Sequence, residues 1–144
     1  MEKAMKRMVL TLLVASIPLA LAVGASGNAY ADDLTRTVLM KKDLEGSPGK
    51  EVTVFVAQYK PGAKSGKHYH PGQEFIYVIS GEGSMEETGK PPVEMKPGVE
   101  LYFQSDPKNS AYIHEAIDNG KTDGMKLLVV LITEKGQPLA YPAK

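Results

Sequence analysis

Apolar and polar residues alternate over short stretches of this chain from about residue 35 onward. Successive side chains of a strand leave opposite faces, so this alternation predicts half-buried β-strands. Nine strands are predicted. They cover residues 37–40, 51–59, 67–70, 74–79, 82–86, 93–95, 99–103, 111–117 and 126–133.

Clusters of Gly, Pro, Asp and Asn separate the predicted strands, for example at residues 46–49, 60–62, 96–98 and 118–120. Many short strands at regular spacing are typical of an antiparallel sandwich or a small barrel. The predicted fold class is therefore all-β. The chain length suits one domain with its own core, and the tail of residues 137–144 is expected to lie as a strap across the surface.

One predicted strand is apolar on both faces. Phe75, Tyr77 and Ile79 leave the face opposite to Glu74, and they are too apolar for a solvated surface. Two explanations remain open: the N-terminal strand covers these side chains, or a second copy of the chain buries them in a homodimer.

The region most informative for chemistry is residues 62–81, which read GAKSGKHYHPGQEFIYVISG. His68 and His70 are two residues apart, so on a strand both imidazoles leave the same face. The dipeptide Pro71-Gly72 then turns the chain and can bring Glu74 beside them. His114, the third and last histidine of the chain, lies far downstream.

These residues fill the fixed positions of a longer pattern: Gly, five residues, His-x-His, three residues, Glu, six residues, Gly. Gly62, His68, His70, Glu74 and Gly81 occupy it. The pattern resembles the first motif of the cupin family. The resemblance implies an antiparallel jelly-roll barrel in which His68, His70 and Glu74 bind one divalent transition metal ion.

The second cupin motif is matched in part. Gly98 fits its first position, but residues 104–106 read Gln-Ser-Asp where the family has Pro-x-Gly. His114 comes five residues late, as though an insertion had lengthened the loop, and Asp118 stands where the family has asparagine. The resemblance implies that His114 is the fourth metal ligand, whereas Asp118 is expected to be solvated.

Alternation also predicts the surroundings of the metal. Ile76 and Val78 share a face with Glu74, and Tyr112 shares a face with His114. Together they are expected to form a small, dry pocket. Tyr112 is then a general acid, a hydrogen-bond donor to substrate, or a buried aromatic residue without a chemical role.

The N-terminal residues have the pattern of an export signal. Lys3, Lys6 and Arg7 precede an apolar run at 8–25, and residues 29–31 read Ala-Tyr-Ala, as at a signal-peptidase site. We expect a cleaved signal peptide at 1–31, the alternative being an uncleaved membrane anchor. Residues 32–144 then form a single cupin domain in the periplasm or outside the cell, without a membrane anchor, with the metal-site core at about 51–133.

Composition limits the classes of partner and the metal ions that are expected. The chain has 17 basic and 17 acidic residues; without residues 1–31 the numbers are 14 and 16, a net charge of −2. This balance argues against nucleic acid as a partner. Cysteine is absent, so the available ligands are imidazole and carboxylate, which suit Fe, Mn, Ni, Cu or Zn.

Three functions remain open on this basis. The cupin resemblance implies a metal-dependent enzyme, of dioxygenase or isomerase type, acting on a small organic molecule. The alternative from another class is a protein that binds a metal or a small ligand without chemistry. A third interpretation is a structural domain whose site binds nothing.

Overall fold

Ten β-strands form the regular structure of a computed structural model that describes residues 33–104 and 112–143. No α-helix occurs within these two ranges. The predicted signal peptide lies outside the described residues. The strands are β1 (Leu34–Asp43), β2 (Lys50–Tyr59), β3 (His68–Tyr69), β4 (Gly72–Ser80), β5 (Gly83–Glu87), β6 (Val93–Met95), β7 (Glu100–Gln104), β8 (His114–Asp118), β9 (Lys126–Glu134) and β10 (Tyr141–Pro142).

The strands form two five-stranded sheets. The order β1-β2-β9-β4-β7 makes up the sheet that we call the long sheet, and β10-β3-β8-β5-β6 makes up the short sheet. All strand pairs are antiparallel. Two facing antiparallel sheets without a helix confirm the predicted all-β jelly-roll barrel.

The core lies between the sheets and is built by alternation. In β2 every second residue from Glu51 to Tyr59 is buried, and in β9 the same holds from Leu127 to Thr133. The register places Phe55 opposite Val129, so inward side chains meet across the two strands. Burial of each large apolar side chain contributes about 1.5–3 kcal/mol, so this inner layer is the main source of stability.

The outer face of the long sheet is apolar and exposed. Phe75 and Tyr77 are 41% and 49% exposed, and the Phe75 ring lies 4.8 Å from the ring of Tyr102 on the neighbouring strand. β1 pairs with β2 at the other side of the sheet and does not cover these residues. Coverage by the N-terminal strand is therefore wrong, and the homodimer stays a prediction.

The two glycines that bound the histidine motif have a structural reason. Gly62 and Gly81 both have positive φ angles, 77° and 83°, which favour glycine. At Gly81 a Cβ atom would also lie only 2.4 Å from the carbonyl oxygen of Gly124. The motif glycines are thus required by the backbone at both ends of the loop and strand that carry the histidines.

The C-terminal tail lies along β3. Tyr141 pairs with Tyr69, and their rings stack with centroids 5.2 Å apart. The N–H of Ala143 donates to the carbonyl of Lys67 at 2.9 Å. The predicted strap is therefore a short edge strand next to the histidine-bearing segment.

Candidate metal centre

The four predicted ligands come together in the barrel from both sheets. His68 on β3 pairs with His114 on β8, His70 follows β3 directly, and Glu74 projects from β4 of the long sheet. All four side chains are buried. The turn between His70 and Glu74 needs Gly72, because a Cβ atom there would lie 2.1 Å from the carbonyl oxygen of Ile132.

Their polar atoms converge on one point. His68 Nε2 lies 3.0 Å from His70 Nε2, and His70 Nε2 lies 3.1 Å from Glu74 Oε1. His114 Nε2 lies 3.4 Å from Glu74 Oε2. One nitrogen of each histidine lies within 4.8 Å of the other two, so the three buried histidines form a group that can hold a metal ion.

Two backbone carbonyls fix which nitrogen of each ring faces the centre. His68 Nδ1 donates to the carbonyl of Gly66 at 2.7 Å, and His70 Nδ1 donates to that of Leu139 at 2.5 Å. A carbonyl oxygen only accepts, so each Nδ1 carries a proton and each neutral ring directs the lone pair of Nε2 inward. Backbone carbonyls commonly orient metal-binding histidines in this way.

The centre is therefore rich in acceptors. Two Nε2 lone pairs and the Glu74 carboxylate face each other, and Glu74 Oε2 is buried without a hydrogen-bond partner in the described structure. A proton shared by His70 and Glu74 satisfies only that pair. A cation at the centre satisfies all of these groups at once, so the donor set fits a metal ion.

The electrostatics favour the protonation states that a metal needs. Burial, helped by the neighbouring His114 and His70, lowers the pKa of His68 to about 3. Burial also lowers the pKa of His114, although the Glu74 carboxylate acts against it. For Glu74, burial raises the pKa, but the hydrogen bond with His70 and the electrostatic influence of the three nearby histidines outweigh it and hold the pKa below its usual value. Neutral imidazoles and an ionised carboxylate are the ligating forms.

A cavity of about 20 Å³ lies next to these groups, which is room for one water molecule or ion. Ile76 lines it, as predicted, whereas Val78 and Tyr112 do not. The Tyr112 ring instead lies 5.9 Å from Lys90 Nζ, so its proposed place in the pocket is wrong. Seven of the thirteen residues that line the cavity are apolar. They are Phe55, Ala57, Ile76, Met85, Ala116, Leu127 and Val129.

Two residues that line the cavity, Tyr59 and Arg36, were not among the predicted site residues. Tyr59 is buried, and burial raises the pKa of its phenol to about 12. Arg36 lines the same cavity from β1. No local pattern marks Arg36, because the residues of β1 after Leu34 are exposed and the strand was predicted to begin only at residue 37.

Asp118 corrects another expectation. It is buried, not solvated: Oδ1 accepts the N–H of Gly62 at 2.9 Å, and its own N–H donates to the carbonyl of Ala63 at 2.8 Å. Asp118 thus ties β8 to the loop where the histidine motif begins. A carboxylate oxygen and an amide oxygen are both acceptors, so an asparagine at this position could accept the same hydrogen bond.

The fold and the site define a small β-barrel domain with a buried three-histidine cluster that can hold a metal ion. A family model described as a cupin domain matches residues 55–131, more than half of the chain. The chain therefore belongs to the cupin family.

Solved structures support the same fold. DMSP lyase DddQ from Ruegeria pomeroyi DSS-3 is similar with a TM-score of 0.61 at 19% identity, over 81% of this chain and 55% of that one. An uncharacterised protein with a double-stranded β-helix domain from Klebsiella pneumoniae gives 0.54 at 20% identity, over 82% and 89%. Ectoine synthase from P. lautus gives 0.55 at 16% identity, over 79% and 78%.

The first of these matches is partial: this chain spans about half the length of the lyase chain. Comparison with curated proteins gave no match. Among the described residues, no helix has both the length and the apolar character needed to cross a membrane.

Proposed function

We propose that this protein is a metal-dependent enzyme that acts on a small organic molecule. His68, His70, Glu74 and His114 hold one divalent transition metal ion. The observation that carries the proposal is the convergence of Nε2 lone pairs and a buried carboxylate on one point, with the outer nitrogens of His68 and His70 fixed by carbonyls.

Three imidazoles and one carboxylate suit Fe, Mn, Ni, Cu or Zn, and they leave room in the coordination sphere for a further ligand. When bound, such an ion supplies Lewis acidity or activates oxygen, which corresponds to isomerase or dioxygenase chemistry. Glu74 and the histidines hold the ion, while the apolar wall keeps bulk water away from it. Enzymes of similar fold, including a DMSP lyase and an ectoine synthase, support the enzyme proposal.

A second candidate is a binding protein without chemistry. The observation that favours it is the size of the inner cavity, about 20 Å³, which admits an ion but no organic substrate. The two candidates differ in turnover. An enzyme consumes oxygen or converts a substrate, whereas a binding protein shows only saturation.

The first test is elemental analysis of the purified protein, carrying no histidine tag, beside the His68→Ala/His70→Ala variant. About one transition metal ion per chain is expected in the wild type and almost none in the variant. Gln73→Ala is the matched control, because Gln73 is next to Glu74 but on the outer face, opposite Gln104. It should keep the metal.

Absence of metal in the wild type after incubation with each of the five ions would refute the proposal. If metal binds, oxygen uptake is measured first for Fe, Mn, Ni and Cu, and isomerisation assays follow. Bound metal should also raise the melting temperature by mass action, and a chelator should reverse this.

We also propose that the protein is exported and acts in the periplasm or outside the cell. The basic start, the apolar run and the Ala-Tyr-Ala tripeptide support this. Mass spectrometry of the protein from cell fractions provides the test. A mature chain that starts at Asp32 in the exported fraction is expected, and a full-length chain confined to the cytoplasm would contradict export.

A further inference from the structure

A wide cleft opens beside the metal centre. Its volume is about 610 Å³, within the 300–1,000 Å³ typical of small-molecule sites. Arg36 and His68 line both this cleft and the small inner cavity. The two spaces therefore adjoin at these residues, and a molecule in the cleft lies next to a ligand of the proposed metal.

Arg36 lies on β1, an edge strand of the long sheet. It pairs with Ala57, whose side chain is buried in the core, and Leu34, two residues earlier, is buried as well. Arg36 itself is exposed, so its guanidinium is accessible to a ligand in the cleft. Among the described residues, no carboxylate lies within 4.0 Å of its guanidinium, so no ion pair competes there with an anionic ligand.

The other charged side chains that line the cleft are Lys67 and Glu115, and neither lines the inner cavity. Lys67 and Glu115 also line a neighbouring surface depression, together with Glu87 and His114. One positive and one negative charge there offset each other. Arg36 is left as the cationic group at the inner end, where the cleft meets His68.

The C-terminal tail forms an uncharged wall of the cleft. Ala140, Pro142 and Ala143 line it, and the hydrogen bond from Ala143 to the Lys67 carbonyl holds the tail in place. Small apolar side chains of this kind suit the hydrocarbon part of a ligand. The cleft thus combines one cation at its inner end with an apolar side.

We propose that this cleft binds a small organic carboxylate, with Arg36 binding the carboxylate group and the tail contacting the carbon chain. The inference rests on the proposed function, since it names the substrate class of the same metal site. A guanidinium presents paired N–H donors that match the two oxygens of a carboxylate. One such group balances a single negative charge, so a monocarboxylate fits better than a phosphate dianion.

The test is calorimetric titration of the protein with propanoate, with propanamide as the uncharged analogue, and with inorganic phosphate. Propanoate should bind at least about tenfold more tightly than propanamide, the ratio that 1.4 kcal/mol gives. Arg36→Gln should weaken propanoate binding about tenfold and leave propanamide unchanged. Arg36→Lys should fall between them, since lysine keeps the charge without the paired donors.

Lys42→Gln is the matched control, because it removes one positive charge from the same strand at a residue opposite Val52. It should bind propanoate like the wild type. Equal binding of propanoate and propanamide, an Arg36→Gln variant that binds propanoate like the wild type, or tighter binding of phosphate would each overturn the proposal.

Metal content is measured in the same samples, so the two proposals fail separately. A wild type without metal refutes the metal site whatever propanoate does. If the wild type contains metal and Arg36→Gln leaves the propanoate affinity unchanged, the metal site stands and the carboxylate cleft is refuted. The Arg36→Gln variant should retain its metal, because Arg36 is not among the proposed ligands.

Discussion

The two sheets of this barrel differ in what they contribute: the long sheet supplies most of the apolar burial, and the short sheet carries the histidines of the candidate metal centre. The long sheet has four strands of nine or ten residues, and its inner face supplies most of the buried apolar side chains. The short sheet has strands of two to five residues. Yet β3, β8 and the residue next to β3 carry all three histidines, whereas the long sheet contributes Glu74 alone.

This difference shows how a small domain can hold an acceptor-rich cluster. Several polar groups that face each other oppose folding, because each loses water without gaining a donor. Regular pairing along β2, β9 and β4 provides the apolar burial that offsets this cost. Because the long sheet supplies this burial, the strands of the short sheet can be short and still carry the side chains that reach the candidate metal centre.

The largest expected effect on stability comes from the inner face of the long sheet. Leu131 is buried, and Leu131→Ala should lower the free energy of unfolding of the metal-free protein by about 2–5 kcal/mol through loss of burial and a residual cavity. Urea titration measures it. The folded variant should keep its metal, since Leu131 does not line the cavity.

Leu128→Ala is the control on the same strand, because Leu128 faces outward and is only half buried. Its loss should be clearly smaller than that of Leu131→Ala. Equal losses from the two substitutions would mean that the inner layer is not the main source of stability.

The second-largest effect on stability is expected when the pH is lowered, because acid protonates the histidines of the short sheet. The pKa of His68 is about 3 in the folded protein and ~6.5 in an unfolded chain, so the unfolded state takes up the proton first. Stability of the metal-free protein is therefore full above about pH 6.5 and is lost as the pH falls toward 3. Between pH 7 and 5, protonation of His68 alone should lower the free energy of unfolding by about 2 kcal/mol.

Urea titrations at pH 7, 6 and 5 in the presence of a chelator measure this slope. His114, whose pKa is also lowered, should add to it in the same direction. The His68→Asn variant should show a shallower slope than the wild type. A stability that stays constant from pH 7 to 5 would show that the histidines are not held neutral.

A smaller effect is expected where the short sheet meets the motif loop. Asp118→Ala removes the acceptor for the Gly62 N–H and should cost about 1–3 kcal/mol in unfolding free energy. Asp118→Asn keeps an acceptor oxygen and should cost less. If alanine and asparagine behave alike, the hydrogen bond to Gly62 does not hold the loop.

The smallest effect on unfolding is expected from the outer face of the long sheet. Phe75 and Tyr77 are exposed, so serine at both should change the stability of the monomer by only about 0.5 kcal/mol per site. The same change should convert the predicted homodimer into a monomer, which sedimentation velocity measures. Val93→Ser, at an exposed apolar residue of the short sheet, should leave the dimer intact. A monomeric wild type would remove the homodimer prediction.

Much of the fold could be predicted because alternation is a local property. The strand at 93–95 was predicted to the residue, and those at 51–59 and 126–133 differ from β2 and β9 by one residue at one end. Strand β1 covers residues 34–43 but was predicted only at 37–40, since most of it is exposed and residues 41–43 are all charged. The pair β3 and β10 is held by tertiary contacts, so its bounds could not be read locally.

Some residues of the candidate site could likewise be predicted from the sequence, and others could not. The spacing of His68, His70 and Glu74 gave three of its groups, because a strand, a turn and a strand convert sequence distance into direction. Burial of Asp118 was missed because charge alone suggests solvent, whereas the backbone N–H of Gly62 makes an interior position favourable. Tyr112 was misplaced because alternation was extended beyond the start of β8.

The all-β class, the cupin motif and the set of histidines could be read from the sequence alone, since each depends on residue type and short-range spacing. The packing of the two sheets was needed to show that the Leu139 carbonyl fixes the ring of His70 and that Arg36 lines the cleft beside His68. Both contacts join segments that are far apart in the chain. Their geometry depends on how two sheets pack, and no local pattern of residues encodes that distance.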